Sequence, residues 1–216
     1  MHTKLAKWIR WLAVIKEEIQ QLVIAKHIFW ATQEMIKNNP KIQKASDFYN
    51  FLGNTYVSHA VMGVRRQIKI DSQSISFARL LSEISQAPAT LSRGYYTSLY
   101  KGSNVENWAD REFDSHCGKG AAHISPAAVA AELSDIQASV RSCEEFADRR
   151  IAHRDKRPPS ILPNFKELDR SIDKLDKLYV RYHLLFHAQA MGTLMPTFQH
   201  DWREIFREPW IAKRDE

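Results

Sequence analysis

Cysteine, glycine and long apolar runs are all scarce in this chain. Only Cys117 and Cys143 occur in 216 residues, so no disulfide framework is indicated and a reducing cytoplasm is the expected setting. With seven glycines and no β-alternation of useful length, helical spacing is the organising pattern. No apolar run approaches the length that crosses a bilayer. The N-terminus, Met1-His2-Thr3-Lys4-Leu5-Ala6-Lys7, is charged but is followed by no small-residue cleavage site, so a signal peptide is not expected. A glycine-rich phosphate loop, a His-Glu-x-x-His pair and a Gly-x-Ser-x-Gly elbow are all missing. Their absence argues against a nucleotide-driven motor, a zincin and a typical serine hydrolase.

What is present is a basic globular composition. Hydrophobic residues make up 44% and charged residues 26%, proportions that allow an ordinary packed core. The formal net charge is +6, which permits an acidic partner such as nucleic acid. The basic residues are spread along the chain among acidic ones, so a generic basic surface is an equal reading.

The apolar spacing predicts an all-α bundle forming one domain over residues 1–216. Its core is expected at about 45–190, with an N-terminal helix (3–38) and a C-terminal tail (196–216) packed on it. In the first helix Leu5, Trp8, Ile9, Leu12, Ile15, Ile19, Leu22 and Val23 share a face. Thr3 is a candidate N-cap and Asn38-Asn39-Pro40 a stop. Ser46 caps a second helix to about 70, with Phe48, Leu52, Tyr56, His59, Met62 and Arg66 along one side. Asp71-Ser72-Gln73-Ser74 then breaks the chain and caps a helix over 75–86. Pro88 opens a short helix through about 100. Residues 101–125, polar and punctuated by glycine, read as a long loop partly ordered by Trp108 and Phe113. Ser125-Pro126 starts a helix with a stripe of Val129, Leu133, Ile136, Val140, Cys143, Ala147 and Ile151, ending before Pro158-Pro159. After that break Phe165, Leu168, Ile172, Leu175, Tyr179, Tyr182 and Phe186 alternate spacings of three and four. An antiparallel neighbour within the bundle accounts for this seam more simply than a dimeric coiled coil. The tail carries Trp202, Phe206 and Trp210 and reads as a short helix plus an extended end.

The densest chemistry lies at Asp148-Arg149-Arg150-Ile151-Ala152-His153-Arg154-Asp155-Lys156. Arg149 and Arg150 fall one helical turn before His153. His153 is rotated by roughly 200° from Ile151 at the helical pitch, so it leaves the core stripe. Imidazole moves protons near neutral pH, and guanidinium holds a phosphate in a fork. Together they suit metal-independent RNA cleavage or RNA binding. Cations gathered on a helix C-terminus are the plainer explanation of the same residues. His116, Cys117 and His123 offer ligand types for a soft metal, but in no recognisable zinc spacing. His59, with Tyr56 and Met62, reads as a core histidine satisfied by a hydrogen bond. Arg65-Arg66 with Asp71 is a possible phosphate contact or an exposed basic helix end. Trp8, Trp11 and Trp30 stack bases in one reading and fill the core in the other. A cavity lined by tyrosines and His59 is a third and weaker idea. No cofactor and no metal is expected.

Two stretches together resemble the AbiU-type abortive-infection branch of the HEPN helical superfamily. One is Arg65-Arg66-Gln67-Ile68, with Asp71 and Ser74-Ile75-Ser76-Phe77 leading into Leu80-Leu81. The other is Phe146-Ala147-Asp148-Arg149-Arg150-Ile151-Ala152-His153-Arg154-Asp155. The resemblance covers roughly 45–190. It implies a helical bundle that dimerises and, in many members, a metal-independent ribonuclease of antiviral defence or toxin–antitoxin systems. The family's signature is an arginine, usually followed by a polar residue, a short way before a histidine. Ile151-Ala152-His153 matches its end, whereas Asp148 stands where the arginine is expected and Arg149 is one residue closer to the histidine. The resemblance therefore implies His153 as general base or acid, Arg149 and Arg150 as a phosphate clamp, and Asp148 as an orienting group. RNA, a second copy of the chain and an antitoxin are the implied partners. The alternative it implies is a catalytically inactive helical module that binds RNA or protein.

Overall fold

The computed structural model describes residues 3–146 and 164–210, the side chains of Ser142 and Glu144 excepted. Its described residues form helices α1 (Thr3–Lys37), α2 (Asp47–Ile68), α3 (Phe77–Gln86), α4 (Arg93–Ser98), α5 (Ala109–Cys117), α6 (Pro126–Ser139), α7 (Arg141–Phe146) and α8 (Phe165–His187). Short 3-10 turns lie at Pro88–Leu91, Glu106–Trp108 and Glu204–Arg207. The fold is all-α, and the only pairing outside helices among the described residues is one isolated bridge between Ser92 and His123. None of the described helices is long and apolar enough to cross a membrane.

The long helix α1 is the spine. Leu5, Trp8, Leu12, Ile15, Ile19, Leu22 and Phe29 are buried along it, following the three-and-four spacing of its sequence. Thr3 is already helical. α2 and α8 both run antiparallel to α1. For α2 the pairs are Glu18 with Gln67, Leu22 with Gly63 and Phe29 with Tyr56. For α8 they are Trp8 with Phe186, Lys26 with Asp173 and Phe29 with Phe165. α6 lies antiparallel to α8 on its other flank, matching Ser139 with Ser171 and Asp135 with Lys174. The expected antiparallel neighbour of the α8 seam is thus found twice over. Leu168, Ile172, Leu175, Tyr179, Tyr182 and Phe186 are all buried in it. One core cluster runs from Leu5 to Leu194.

Local sequence sets the helix ends. Ser46, Ser76, Ser92 and Ser125 each accept a backbone N–H at an N-terminus, as capping serines do. Asn164 and Glu167 form a reciprocal capping box at the start of α8.

Three expectations are corrected. Residues 101–125 are not one loop, because they contain the Glu106–Trp108 turn and α5. Phe113 is buried there while Trp108 is 66% exposed. The helix beginning at Pro126 is not continuous either. It breaks at Val140, whose backbone (φ −116°, ψ 6°) leaves the helical region. The buried Ser171 hydroxyl, 2.9 Å from the Glu167 carbonyl of its own helix, also lies 3.1 Å from the Ser139 carbonyl at the break and shares its proton between the two. Val140 and Cys143 remain buried across the break; Ala147 and Ile151 lie outside the described residues. Third, the inward face of α2 is Tyr56, Ala60, Val61, Gly63, Val64, Gln67 and Ile68. Phe48 is 52% exposed, and His59 and Arg66 are exposed as well.

Candidate functional site

Asp148, Arg149, Arg150 and His153 lie outside the described residues. Two elements flank their segment. On one side α7 ends at the half-buried Phe146 and packs against α2 and α6. On the other, the Asn164 carboxamide accepts the Glu167 N–H at 3.0 Å and the Glu167 carboxylate accepts the Asn164 N–H at 3.3 Å. Phe165 stacks on Phe29 and Tyr56 at centroid distances of 5.5 and 6.2 Å. The Tyr56 hydroxyl and the Trp30 indole N–H both donate to Asp169, at 2.7 and 2.8 Å. Burial, with the Asp169 carboxylate beside it, pushes the Tyr56 hydroxyl well above its usual pKa, so it stays a donor.

The other sequence candidates fall into structural roles. Arg66 is drawn to Glu18 at 3.2 Å, which also accepts from Gln67 at 2.8 Å. The Gln67 carbonyl in turn accepts the Phe77 N–H. Asp71 accepts the Gln73 N–H at 2.7 Å and closes the turn between α2 and α3. The stretch from Arg65 to Leu81 is therefore built as a helix corner. Trp8 is fully buried and donates to Glu83 at 2.7 Å. Trp11 lies under Lys7 and Arg79, each 4.5 Å from its ring centroid. Of these three tryptophans Trp30 is the most exposed, at 40%.

His59, expected in the core, is exposed, because the seam of α2 runs through Tyr56, Ala60, Gly63, Val64 and Gln67. Tyr56, Tyr96, Tyr179 and Tyr182 are buried, whereas His59 faces outward on α2. Among the described residues no group of three or more His, Cys, Asp or Glu side chains is arranged to hold a metal. His123 points its Nδ1 at the Ile124 carbonyl at 2.8 Å, which requires the proton on that nitrogen. Burial raises the Cys117 thiol pKa and lowers that of His116.

Sequence reasoning missed three polar constellations. Arg93 clamps α5, meeting Asp110 at 2.9 Å and also Asp114, which accepts the Gly120 N–H. Arg181 pairs with Glu132, and Glu132 accepts the Tyr182 hydroxyl at 2.7 Å. His183 and His187 lie together at the end of α8, 4.8 Å apart. The partners in the first two are 17 to 50 residues apart, beyond the reach of local pattern. The last is an i,i+4 pair visible in the sequence.

Two of the surface grooves formed by the described residues exceed 700 Å3. One, of about 750 Å3, lies between the C-terminal end of α1, the 38–46 connection and the tail. Met35, Ile42, Phe48, Phe206 and Trp210 give it mainly apolar walls. The other, of about 710 Å3, lies between α6 and α8, with Arg170, Lys174, Lys177 and Arg181 beside Glu167 and Asp173 on the α8 wall and Glu132 and Asp135 on the α6 wall. Lys174 meets Asp135 at 2.6 Å. No family model, curated protein or solved structure matches this chain.

Proposed function

We propose that this protein is a HEPN-like, RNA-acting protein of the antiviral-defence or toxin–antitoxin type, working in the cytoplasm as a homodimer. In this reading it cleaves RNA without a metal. His153 takes the proton from the attacking ribose 2′-hydroxyl or returns one to the leaving oxygen. Arg149 and Arg150 neutralise the phosphate as its charge develops, and Asp148 orients the histidine. An antitoxin is the expected protein partner.

The reading rests on one observation above all: the Asp-Arg-Arg-Ile-Ala-His stretch begins two residues after the end of α7, a helix anchored in the bundle by the buried Cys143. The all-α architecture is compatible with it, and so is the packing of α7 against α2, which carries the other stretch of the resemblance.

The test is RNA digestion with EDTA present. Wild-type protein is expected to cut and His153→Ala to lose at least about a hundredfold in rate, the usual contribution of a general base. Expression of wild type, but not of the variant, is expected to slow growth. RNA left intact by wild type in every buffer, with both proteins alike in cells, removes the nuclease. The second reading, binding without cleavage, is favoured by Asp148, whose negative charge stands where the signature has a cation. It predicts RNA retention by wild type with no product formed.

A further inference from the structure

We propose that the outward face of α8 is a track for the sugar-phosphate backbone of single-stranded RNA, laid along Lys166, Arg170, Lys174, Lys177 and Arg181. The assignment rests on the RNA reading above and names where that ligand lies.

The five cations recur at spacings of four, four, three and four. At the helical pitch they fall within about 40° of one line, on the side opposite the buried seam. Neighbours four apart are separated by about 6 Å along the axis, a step on the order of the repeat of a nucleic-acid backbone.

What makes this more than a solvated helix face is where the carboxylates of α8 are. Each is held in an intramolecular contact. Asp169 accepts from Tyr56 and Trp30. Asp173 meets Lys26 of α1 at 2.5 Å. Asp176 accepts the Thr193 hydroxyl at 2.6 Å and the Leu194 N–H at 2.7 Å. Glu167 closes the capping box. The carboxylates of α8, the exposed Asp173 included, are thus each engaged by a partner within the molecule. Lys174 and Arg181 are fixed by Asp135 and Glu132 of α6 and border the groove there. Lys166, Arg170 and Lys177 are exposed, and among the described residues none of the three makes an ion pair with another described residue.

The same face lacks what a folded protein partner needs. Phe165 is the one large exposed hydrophobic residue of α8, and it is stacked on Phe29 and Tyr56. A protein interface takes most of its energy from buried aromatic or aliphatic anchors. A polyanion needs only spaced cations, because its binding is driven by counterion release. Arg170 adds a planar fork suited to phosphate.

The test is fluorescence anisotropy of a labelled single-stranded RNA titrated with purified full-length protein between ~50 and ~300 mM salt. Three proteins are compared: wild type, Lys166→Gln/Arg170→Gln/Lys177→Gln, and Lys37→Gln/Lys41→Gln/Lys44→Gln. The last removes the same charge at the far end of α1, and circular dichroism checks that all three stay folded. The expected result is that the α8 variant loses about 2 from the slope of log K against log salt, at about 0.7 per phosphate contact, while the α1-end variant keeps the wild-type slope. Equal losses in both variants overturn the track and leave RNA binding standing. Wild type that binds no RNA at low salt overturns both. An α8 variant that keeps its RNA affinity but no longer binds immobilised poly-glutamate also overturns the track, and reassigns the face to an acidic polypeptide. His153→Ala that binds RNA with the wild-type slope but does not cut it shows catalysis failing while the track holds.

Discussion

At the scale of single residues, Glu83 shows how one carboxylate serves several neighbours. It accepts the indole N–H of the fully buried Trp8 at 2.7 Å and meets Lys7 at 2.5 Å, with Arg79 at 3.9 Å. Partial burial works to raise its pKa, but hydrogen bonds from Lys7 and Trp8 and the charges of Lys7 and Arg79 outweigh it, and the net result is below the usual carboxylate value. Glu83→Leu is expected to leave the Trp8 N–H unpaired in the core and to cost about 1–3 kcal/mol in urea unfolding. Glu83→Gln keeps an acceptor and is expected to lose less. A depressed carboxylate contributes stability above its unfolded pKa that vanishes as pH falls through the folded value. The gap between wild type and Glu83→Gln is therefore expected to narrow once pH falls below the ordinary value of 4.5 and to vanish as it passes the lower folded value; a gap that persists in acid sinks this account. The burial of Trp8 was legible from its place on the α1 stripe, but its partner was not, since 75 residues separate them.

At the scale of elements, legibility followed the strength of apolar periodicity. α1 and α8 were readable because their seams are long and made of large side chains. α2 misled because its inward face is small. Ala60, Gly63 and Val64 let it approach α1 closely, and the aromatic residues at its start are left outside. Gly63 marks the closest point: a Cβ there meets Leu22 Cδ2 at 2.5 Å. Gly63→Ala gains about 1 kcal/mol of helix propensity and loses about 1–3 kcal/mol to overpacking. The expected outcome is net destabilisation, partly relieved by Leu22→Val in the same chain, as read from thermal melting of both variants. An alanine variant at least as stable as wild type would mean that the α1–α2 seam is looser than described. α5 was missed for another reason. Its signal is not periodicity but the clamp of Arg93 on Asp110 and Asp114, which the intervening sequence does not announce. The α6–α7 break was hidden because the apolar stripe continues through it, and only the Ser171 hydroxyl from α8 marks the freed carbonyl. The candidate site residues Asp148, Arg149, Arg150 and His153 lie outside the described residues, and the partners of the α8 carboxylates were not legible because they come from distant elements.

At the scale of the whole molecule, the titrating groups bound a plateau of stability on both sides. His183 is pushed below its ordinary value first by burial, then by His187 and Lys16, against a smaller opposing hydrogen bond to Gln189. Burial alone does the same to His187, and it is the leading cause for His116. A histidine with a depressed folded pKa favours the native state above its unfolded value of 6.5, and that preference is lost as pH falls through the folded value. On the alkaline side burial raises Tyr56, Tyr95, Tyr96, Tyr100 and Tyr182, and pushes Tyr179 up to about 12. A raised tyrosine supports the native state fully below its unfolded value of 10.0 and ceases to as pH rises through the folded one. Melting temperature is therefore expected to be flat between about pH 7 and 9.5, to fall below 6.5 as the histidines charge, and to fall again above 10. Replacing the pair by His183→Gln/His187→Gln is expected to flatten the acid limb between about pH 6.5 and 5 without touching the alkaline one, leaving the smaller share carried by His116. Calorimetric scans of wild type and the double variant across that range decide it. An unchanged acid limb would place the titration on other groups and leave His183 and His187 as packing residues only.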